Sequence, residues 1–498
     1  MQRAPFYLMF ISQRSFRATP TLTSRCAFAW SIRICVFVVS VASVCAQAPV
    51  RLSTAIALAL KNYPTIRERQ AEAEAAREEI ELARTAYRPR VDLLGQVNRA
   101  TVNNITGLVL PQSIVPTLSG RPSDSPSIST AWGSAAGALL SWEPFDFGRR
   151  RAALDVARTG AQRVEAEVEI TRLDVAIAAA DFFLATAAAE QSVRVAEANV
   201  ERQQTFADAV RVLVQNGLRP GSDASRADAN LSDAKIQLLR EQQSVEVRRA
   251  QLAERLGIAG APVSIDVGTL LEQPPQPEVP SATVETHPQA LAQKLQIEII
   301  EARQRLLDQS YLPRFNYQAA VSARGTGVRN DGRFEGGLNG ILPITPNFAT
   351  GMSVTFPIFD IFELRSRRRI ERSNRLAEQA RLDRITQELK SQEAQARALI
   401  ESTRRIAAEA PVKLNAAQQA DAAARAQYKF GLVTITEVAD AQRLLAQSEI
   451  DVAVARLNMW RALLAAAQAQ GTIEPFLQQV QQGINPQPPI IQSNTPKE

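Results

Sequence analysis

AYRPRVDLLGQV (Ala86–Val97) returns 224 residues later as SYLPRFNYQAAV (Ser310–Val321). Each copy opens on Tyr-X-Pro-Arg and then alternates. In the first, Val91, Leu93 and Val97 alternate with Arg90, Asp92, Gln96 and Asn98. In the second, Phe315, Tyr317, Ala319, Val321 and Ala323 share one face. Arg314, Asn316, Gln318 and Ser322 take the other, with Ala320. A period of two predicts strands, and its recurrence predicts a duplicated chain.

Working outward, NYP (Asn62–Pro64) matches THP (Thr286–Pro288) at the same offset of 224. GALLSWEPFDFG (Gly137–Gly148) matches GMSVTFPIFDIF (Gly351–Phe362) at 214, and Asn216-Gly217-Leu218 matches Phe430-Gly431-Leu432, again at 214. The ten-residue change falls where a variable loop belongs. Two units result, residues 47–256 and 286–470, joined by a Pro-rich linker over 257–285. The tail, 471–498, is rich in Gln, Pro and Asn and is expected to be disordered.

Each unit has one order. A helix (about 53–86, then 287–310) precedes two strands (about 88–98 and 131–143, then 313–323 and 350–359). A very long helix follows (about 148–214, then 362–429), then a break and a returning helix (about 222–256, then 436–470). The long helices reach roughly 100 Å at 1.5 Å per residue. No globular core buries such a rod, so coiled-coil packing is required. The Ala-rich run Leu173–Gln191 lets helices approach closely, as in a wall. Two short helices placed end to end have the length to pair with one long one.

In the fourth strand Met352, Val354, Phe356 and Ile358 alternate with Gly351, Ser353, Thr355 and Pro357. In the second, Trp132, Leu140 and Trp142 share a face. Strands of about ten residues suit a tilted bilayer crossing, and Trp132, Trp142 and Phe356 fall where interfacial aromatics belong. A soluble half-buried sheet alternates identically, so the strands alone leave both readings open. Four strands cannot close a membrane barrel, and open edges are excluded from lipid. A membrane reading therefore needs symmetric oligomers; three chains supply twelve strands.

Composition narrows the function classes. The chain of 498 residues has a net charge of +6, but residues 1–46 hold five Arg and no acid, which leaves 52 basic against 51 acidic residues. That balance gives no electrostatic case for nucleic acid. Ser31–Ala46, with Arg33 before the apolar run Ile34–Val44, reads as part of a signal peptide over 1–46. All three Cys lie in it (Cys26, Cys35, Cys45), so a mature chain from Gln47 has no disulfide; lipidation of Cys45 is the rival reading. His287 is the single histidine, and no metal-ligand cluster or nucleophile arrangement is present. Gly325–Gly332 is Gly-rich but lacks the strand–loop–helix setting of a phosphate site. Neither a catalytic site nor a cofactor is expected.

The duplicated unit, the YRPR and YLPR strand starts, the FDFG and FDIF strand exits, and the paired NGLRPGSDASRAD and YKFGLVTITEVADAQ are together specific. On these the chain resembles the TolC-like outer-membrane efflux proteins over about residues 50–470. The resemblance implies a mainly α fold with a membrane β-barrel portion: a homotrimer with a twelve-stranded barrel in outer-membrane lipid and a periplasmic α-helical tunnel. It implies an adaptor protein and an inner-membrane pump, proton-driven or ABC type, as partners of an efflux or type I secretion channel. A secreted trimeric coiled-coil scaffold is the alternative.

By that resemblance the two breaks are hairpin tips at the periplasmic end. Gly217 and Gly431 suit residues of positive φ that end helices, and Ser222 and Thr436 or Thr434 suit caps. Glu437 and Asp440, three apart on one face, together with Asp223, match gate carboxylates; first-turn acids that favour a helix N-terminus read the same way. Tyr428 matches a latch position, to Asp223, while the family's basic latch residue is Val433 here. Leu218, Leu432, Val433 and Ile435, with the two glycines, form a candidate adaptor-contact tip, or the hairpin's own packing. Arg149–Arg151 and Arg365, Arg367–Arg369 are membrane anchors or solvated helix faces.

Overall fold

A computed structural model describes residues 49–101, 113–115, 128–271, 284–329, 333, 335–356 and 358–484. The readings that fall on the signal peptide and Cys45, on 272–283 of the linker and on 485–498 of the tail lie outside the described residues.

The chain runs α1 (Leu52–Asn62), α2 (Pro64–Thr85), β1 (Arg90–Thr101), β2 (Thr130–Phe145), α3 (Arg149–Gln215), α4 (Gly221–Arg255), α5 (Pro288–Gln309), β3 (Arg314–Thr326), β4 (Thr345–Thr355), α6 (Ile361–Lys429), α7 (Ile435–Gln470) and α8 (Glu474–Ile484). The strands form one antiparallel sheet in the order β1-β2-β3-β4. Its register puts Leu93, Ala138, Val321 and Phe348 in one cross-strand row and Gln96, Ala135, Arg324 and Thr345 in another. Alternation then gives the sheet two unlike faces. One carries Val91, Leu93, Val97, Val321, Phe348, Met352 and Val354, all largely exposed. The other carries Gln96, Asn98, Asn316, Gln318 and Ser353. An exposed apolar face of this extent on a sheet is unstable in water and suits lipid.

The long helices act as spines. α3 meets α2 near the sheet, where Arg77 pairs with Glu165 at 2.8 Å, and α4 farther along, where Arg249 pairs with Glu190 at 2.8 Å. α6 packs on α5 and then α7 in the same way. Two short helices per spine is the arrangement the lengths predict.

The main apolar core lies midway. Leu52 and Ile56 of α1, Phe183 and Leu184 of α3, Leu252 of α4 and Trp460 of α7 converge there. Each fully buried large side chain contributes roughly 1.5–3 kcal/mol. The Ala-rich run of α3 fits the space they leave: Ala176, Ala179, Ala180 and Ala187 are all buried. Trp460 Nε1 donates to the Leu270 carbonyl at 2.9 Å, which ties the linker to this belt.

Four boundaries differ from expectation. The first helix breaks at Tyr63, because Pro64 cannot donate and takes the first position of α2. In the second repeat a 3-10 turn, Val284–Thr286, forms before Pro288, inside the expected linker. β4 begins near Thr345 rather than 350 and ends at Thr355, which leaves Phe356 outside the strand and exposed. The tail is not disordered at its start: α8 forms, and Phe476 and Val480 bury against the belt, with the Phe476 ring 6.2 Å from Trp460.

The turn from β2 into α3 is tightly built. Phe147 and Gly148 take positive φ, 52° and 93°. Arg150 is buried behind them. It donates to Asp146 at 2.9 Å and to the Ala86 and Pro144 carbonyls at 3.3 and 3.4 Å, and lies 4.8 Å from the Tyr87 ring. Burial pushes the Asp146 carboxyl up, but hydrogen bonds from the Arg150 backbone and side chain and from Gly148 outweigh it and hold Asp146 below its usual range. Arg150 is thus neither a headgroup anchor nor a solvated residue; it clamps sheet to helix.

Candidate functional site

The ends of the two helical hairpins, far along the spines from the sheet, hold the site. Both turns close alike. After α3 the Leu218 N–H returns to the Leu213 carbonyl at 2.9 Å, and after α6 the Leu432 N–H returns to Gln427 at 3.0 Å. Each closure needs a left-handed residue, and Gly217 (φ 72°) and Gly431 (φ 79°) supply it. The returning helices each start one residue early, at Gly221 and Ile435. Pro220 is the N-cap of α4, so Ser222 sits inside the first turn and does not cap. Thr434, not Thr436, caps α7, and Glu437 completes a capping box by accepting from the Thr434 N–H at 3.4 Å.

Between the hairpins lies a three-residue contact. The Tyr428 hydroxyl donates to Asp223 Oδ2 at 2.8 Å. Its ring is buried against Phe206, with centroids 5.5 Å apart. Arg219 lies over the other side of the ring, 4.3 Å from its centroid, and also donates to the Tyr428 carbonyl. Burial, then the bond to Asp223, push the Tyr428 hydroxyl up to about 12. The phenol is therefore a donor at any physiological pH. A second tie runs from Arg226 to the Thr436 hydroxyl at 2.9 Å. Beneath, Phe206, Ala207, Val210, Ala227, Leu231, Ile435 and Val438 form a separate small core.

Asp223 and Tyr428 therefore meet, as the resemblance implies. The basic partner is present too, but it comes from the first repeat as Arg219, not from the position of Val433. Sequence reasoning missed it because it searched the second hairpin for a residue the first provides. Glu437 and Asp440 remain on one exposed face; within this chain Glu437 closes its capping box and Asp440 pairs with Arg443 at 3.2 Å. Of the tip apolar residues, Leu218 and Leu432 are exposed, and so is Phe430 at 81%, which the sequence reading omitted. Ile435 is buried in the small core and Val433 packs against it, so Ile435 belongs to the hairpin's own packing and not to a contact face.

On the sheet, Trp132 and Trp142 share the apolar face ten residues apart. At about 3.3 Å per residue and a tilt near 40° they stand roughly 25 Å apart along a membrane normal. Arg99 lies 5.6 Å over the Trp132 ring, and Trp142 pairs with Tyr317 across the ladder. His287 is structural: its Nδ1 accepts the Gln289 N–H at 3.2 Å as a helix cap, and its Nε2 faces the Gln468 carbonyl at 3.2 Å. No cluster of metal-ligating residues occurs among the described residues.

The profile of the outer membrane efflux proteins matches residues 55–258 and 279–472. The chain belongs to the outer membrane efflux protein family. The match comes in two spans, and residues 259–278 between them fall inside the stretch 257–285. The fold is also that of solved outer-membrane channels. The Campylobacter jejuni CmeC channel superposes with a TM-score of 0.69 at 15% identity, over 87% of this chain and 89% of that one. VceC of Vibrio cholerae gives 0.67 at 17%, over 84% and 96%. The open state of Neisseria gonorrhoeae MtrE gives 0.66 at 20%, over 85% and 89%. No curated protein matches in sequence. As an outer membrane efflux protein the chain resides in the outer membrane, with its sheet as the barrel portion and its helices on the periplasmic side.

Proposed function

We propose that this chain is the passive exit duct of a tripartite efflux or type I secretion assembly. Three copies close a twelve-stranded barrel, and their helices line a tunnel that the hairpin tips shut. The contact of Tyr428, Asp223 and Arg219 carries this reading: it ties two hairpins together at the end of the rods away from the sheet, where a gate belongs. Glu437 and Asp440 from three copies would add carboxylates around the axis and favour cations at the opening. Like charges held close oppose one another, so such a ring favours opening once the ties are released. Exposed Leu218, Phe430 and Leu432 offer an apolar seat for a periplasmic adaptor. The chain needs no catalytic site under this reading, because an inner-membrane pump, proton-driven or ATP-driven, supplies the energy.

Conductance of the purified protein in a planar bilayer tests it, with Glu437→Gln/Asp440→Asn alongside. Stable channels whose cation selectivity falls in the double variant are expected. Channels of unchanged selectivity would remove the acidic ring and leave the duct. A water-soluble rod in the detergent-free fraction would remove the duct itself.

A further inference from the structure

The start of α6 is electrostatically odd. Arg365, Arg367, Arg368, Arg369, Arg372 and Arg375 crowd its first four turns. Cations disfavour a helix N-terminus, whose exposed N–H groups already carry positive partial charge. Some of these arginines are neutralised: Arg367 pairs with Glu363, Arg368 with Asp308 at 3.3 Å and Arg375 with Glu301 at 3.8 Å. Arg365, Arg369 and Arg372 pair with no carboxylate among the described residues. They lie at i, i+4 and i+7, on one helical face. That face, with Arg368 and Arg375, Gln304 of α5 and Tyr311 just beyond α5, lines an open groove of about 660 Å³.

The first repeat shows what a protein-satisfied version looks like. Arg149 pairs there with Glu143 at 2.7 Å and Arg150 with Asp146 at 2.9 Å, both acids coming from the strand exit. At the offset of 214, Glu143 corresponds to Pro357 and Arg149 to Glu363, so the second repeat lacks that strand-side acid. The approach to the groove is apolar as well. Phe356, Ile358, Phe359 and Phe362 are exposed between the end of β4 and the first turn of α6, Phe359 at 86%. They extend the sheet's lipid-suited face directly to the arginines.

We propose that Arg365, Arg369 and Arg372 bind the phosphate of an anionic phospholipid in the periplasmic leaflet, with its acyl chains along Phe359 and Phe362. Charge complementarity, with three arginines near the start of α6 that have no carboxylate partner (Arg369 donates only to the Ser366 hydroxyl, at 3.1 Å), and continuity with the apolar sheet face point to this occupant. Guanidinium groups bind phosphate bidentately and hold it better than ammonium groups do. The proposal rests on the outer-membrane placement of the sheet.

Native mass spectrometry of the full-length protein in detergent tests it, with phosphatidylglycerol and phosphatidylcholine added in turn. Phosphatidylglycerol adducts are expected to survive in preference to phosphatidylcholine. They should fall at least tenfold in Arg365→Gln/Arg369→Gln/Arg372→Gln but not in Arg404→Gln, farther along α6. Equal retention in the triple variant would overturn the proposal. So would displacement of the lipid by equimolar inorganic phosphate, which would make this a free-anion site. Loss of subunit association, or altered ion selectivity with lipid retention unchanged, would likewise overturn it by assigning the groove to a subunit contact or to the channel wall. Insertion of wild type and variant into planar bilayers checks the membrane placement separately.

Discussion

Tyr428→Phe isolates one hydroxyl at the contact between the two hairpins. The ring stays, so its packing on Phe206 at 5.5 Å and its stack under Arg219 at 4.3 Å survive. What disappears is the 2.8 Å bond to the Asp223 carboxylate. A hydrogen bond to a charged acceptor contributes about 1.5–3 kcal/mol net. Asp223 is only half-buried, and water replaces part of that, so about 1–2 kcal/mol per chain is the expected loss. If closure needs the contact, the open-to-closed ratio rises roughly 5- to 30-fold per chain, at 1.4 kcal/mol per factor of ten. Single-channel recording reads this as longer open dwell times, with unitary conductance unchanged while a channel is open. Asp223→Asn should produce a smaller effect of the same sign, because the amide oxygen still accepts. Unaltered dwell times in Tyr428→Phe, with the protein folded and inserted, would refute the latch.

The other expectations follow from single contacts. The raised Tyr428 pKa contributes stability that is complete below pH 10, the ordinary tyrosine value, and is lost as pH rises toward about 12; channels should open in that window in wild type and not further in Tyr428→Phe. Arg150→Gln removes a buried guanidinium from Asp146 and two carbonyls, and should cost about 3 kcal/mol in thermal or denaturant unfolding of the detergent-solubilised protein. Burial, partly offset by the Gln468 carbonyl and Asp174, lowers the His287 pKa; its neutral form then stabilises the fold above pH 6.5, and this is lost as pH falls below that value. A His287→Gln variant should therefore show a flatter dependence of melting temperature on pH between 7 and 5. Gly431→Ala places a Cβ at φ 79° and should destabilise the second tip by about 1–2 kcal/mol, read as faster amide exchange there.

Much of this architecture is visible in the residue order, because the forces that set it are local or periodic. The alternation of Val91, Leu93 and Val97 fixes a strand and its faces, and two offsets, each found twice, fix the duplication. Lengths alone predict two short helices against each spine. What stayed hidden depends on contacts between distant segments. Nothing near Arg219 announces that it will cover a tyrosine 209 residues away. In α8 a Gln-rich composition hides the pair Phe476 and Val480, which bury only once Trp460 is in place. α6 runs through Pro411 without breaking, although a proline there removes one helix bond. The unequal ends of β4 arise from pairing with β3, which the sequence of β4 alone does not encode.

The contact between the tips also settles a matter of counting. At the offset of 214, Tyr428 corresponds to Val214, Arg219 to Val433 and Asp223 to Glu437. Of the three partners only the acid has a chemical equivalent in the other copy. Two hairpins descended from one unit have become plug and socket: the second carries the phenol, and the first carries the guanidinium and the carboxylate that receive it. A closed ring of such chains cannot treat its hairpins as interchangeable. If three such chains form the ring, its closed state holds six hairpins in three ties, one per chain, and release of a tie is one event per chain.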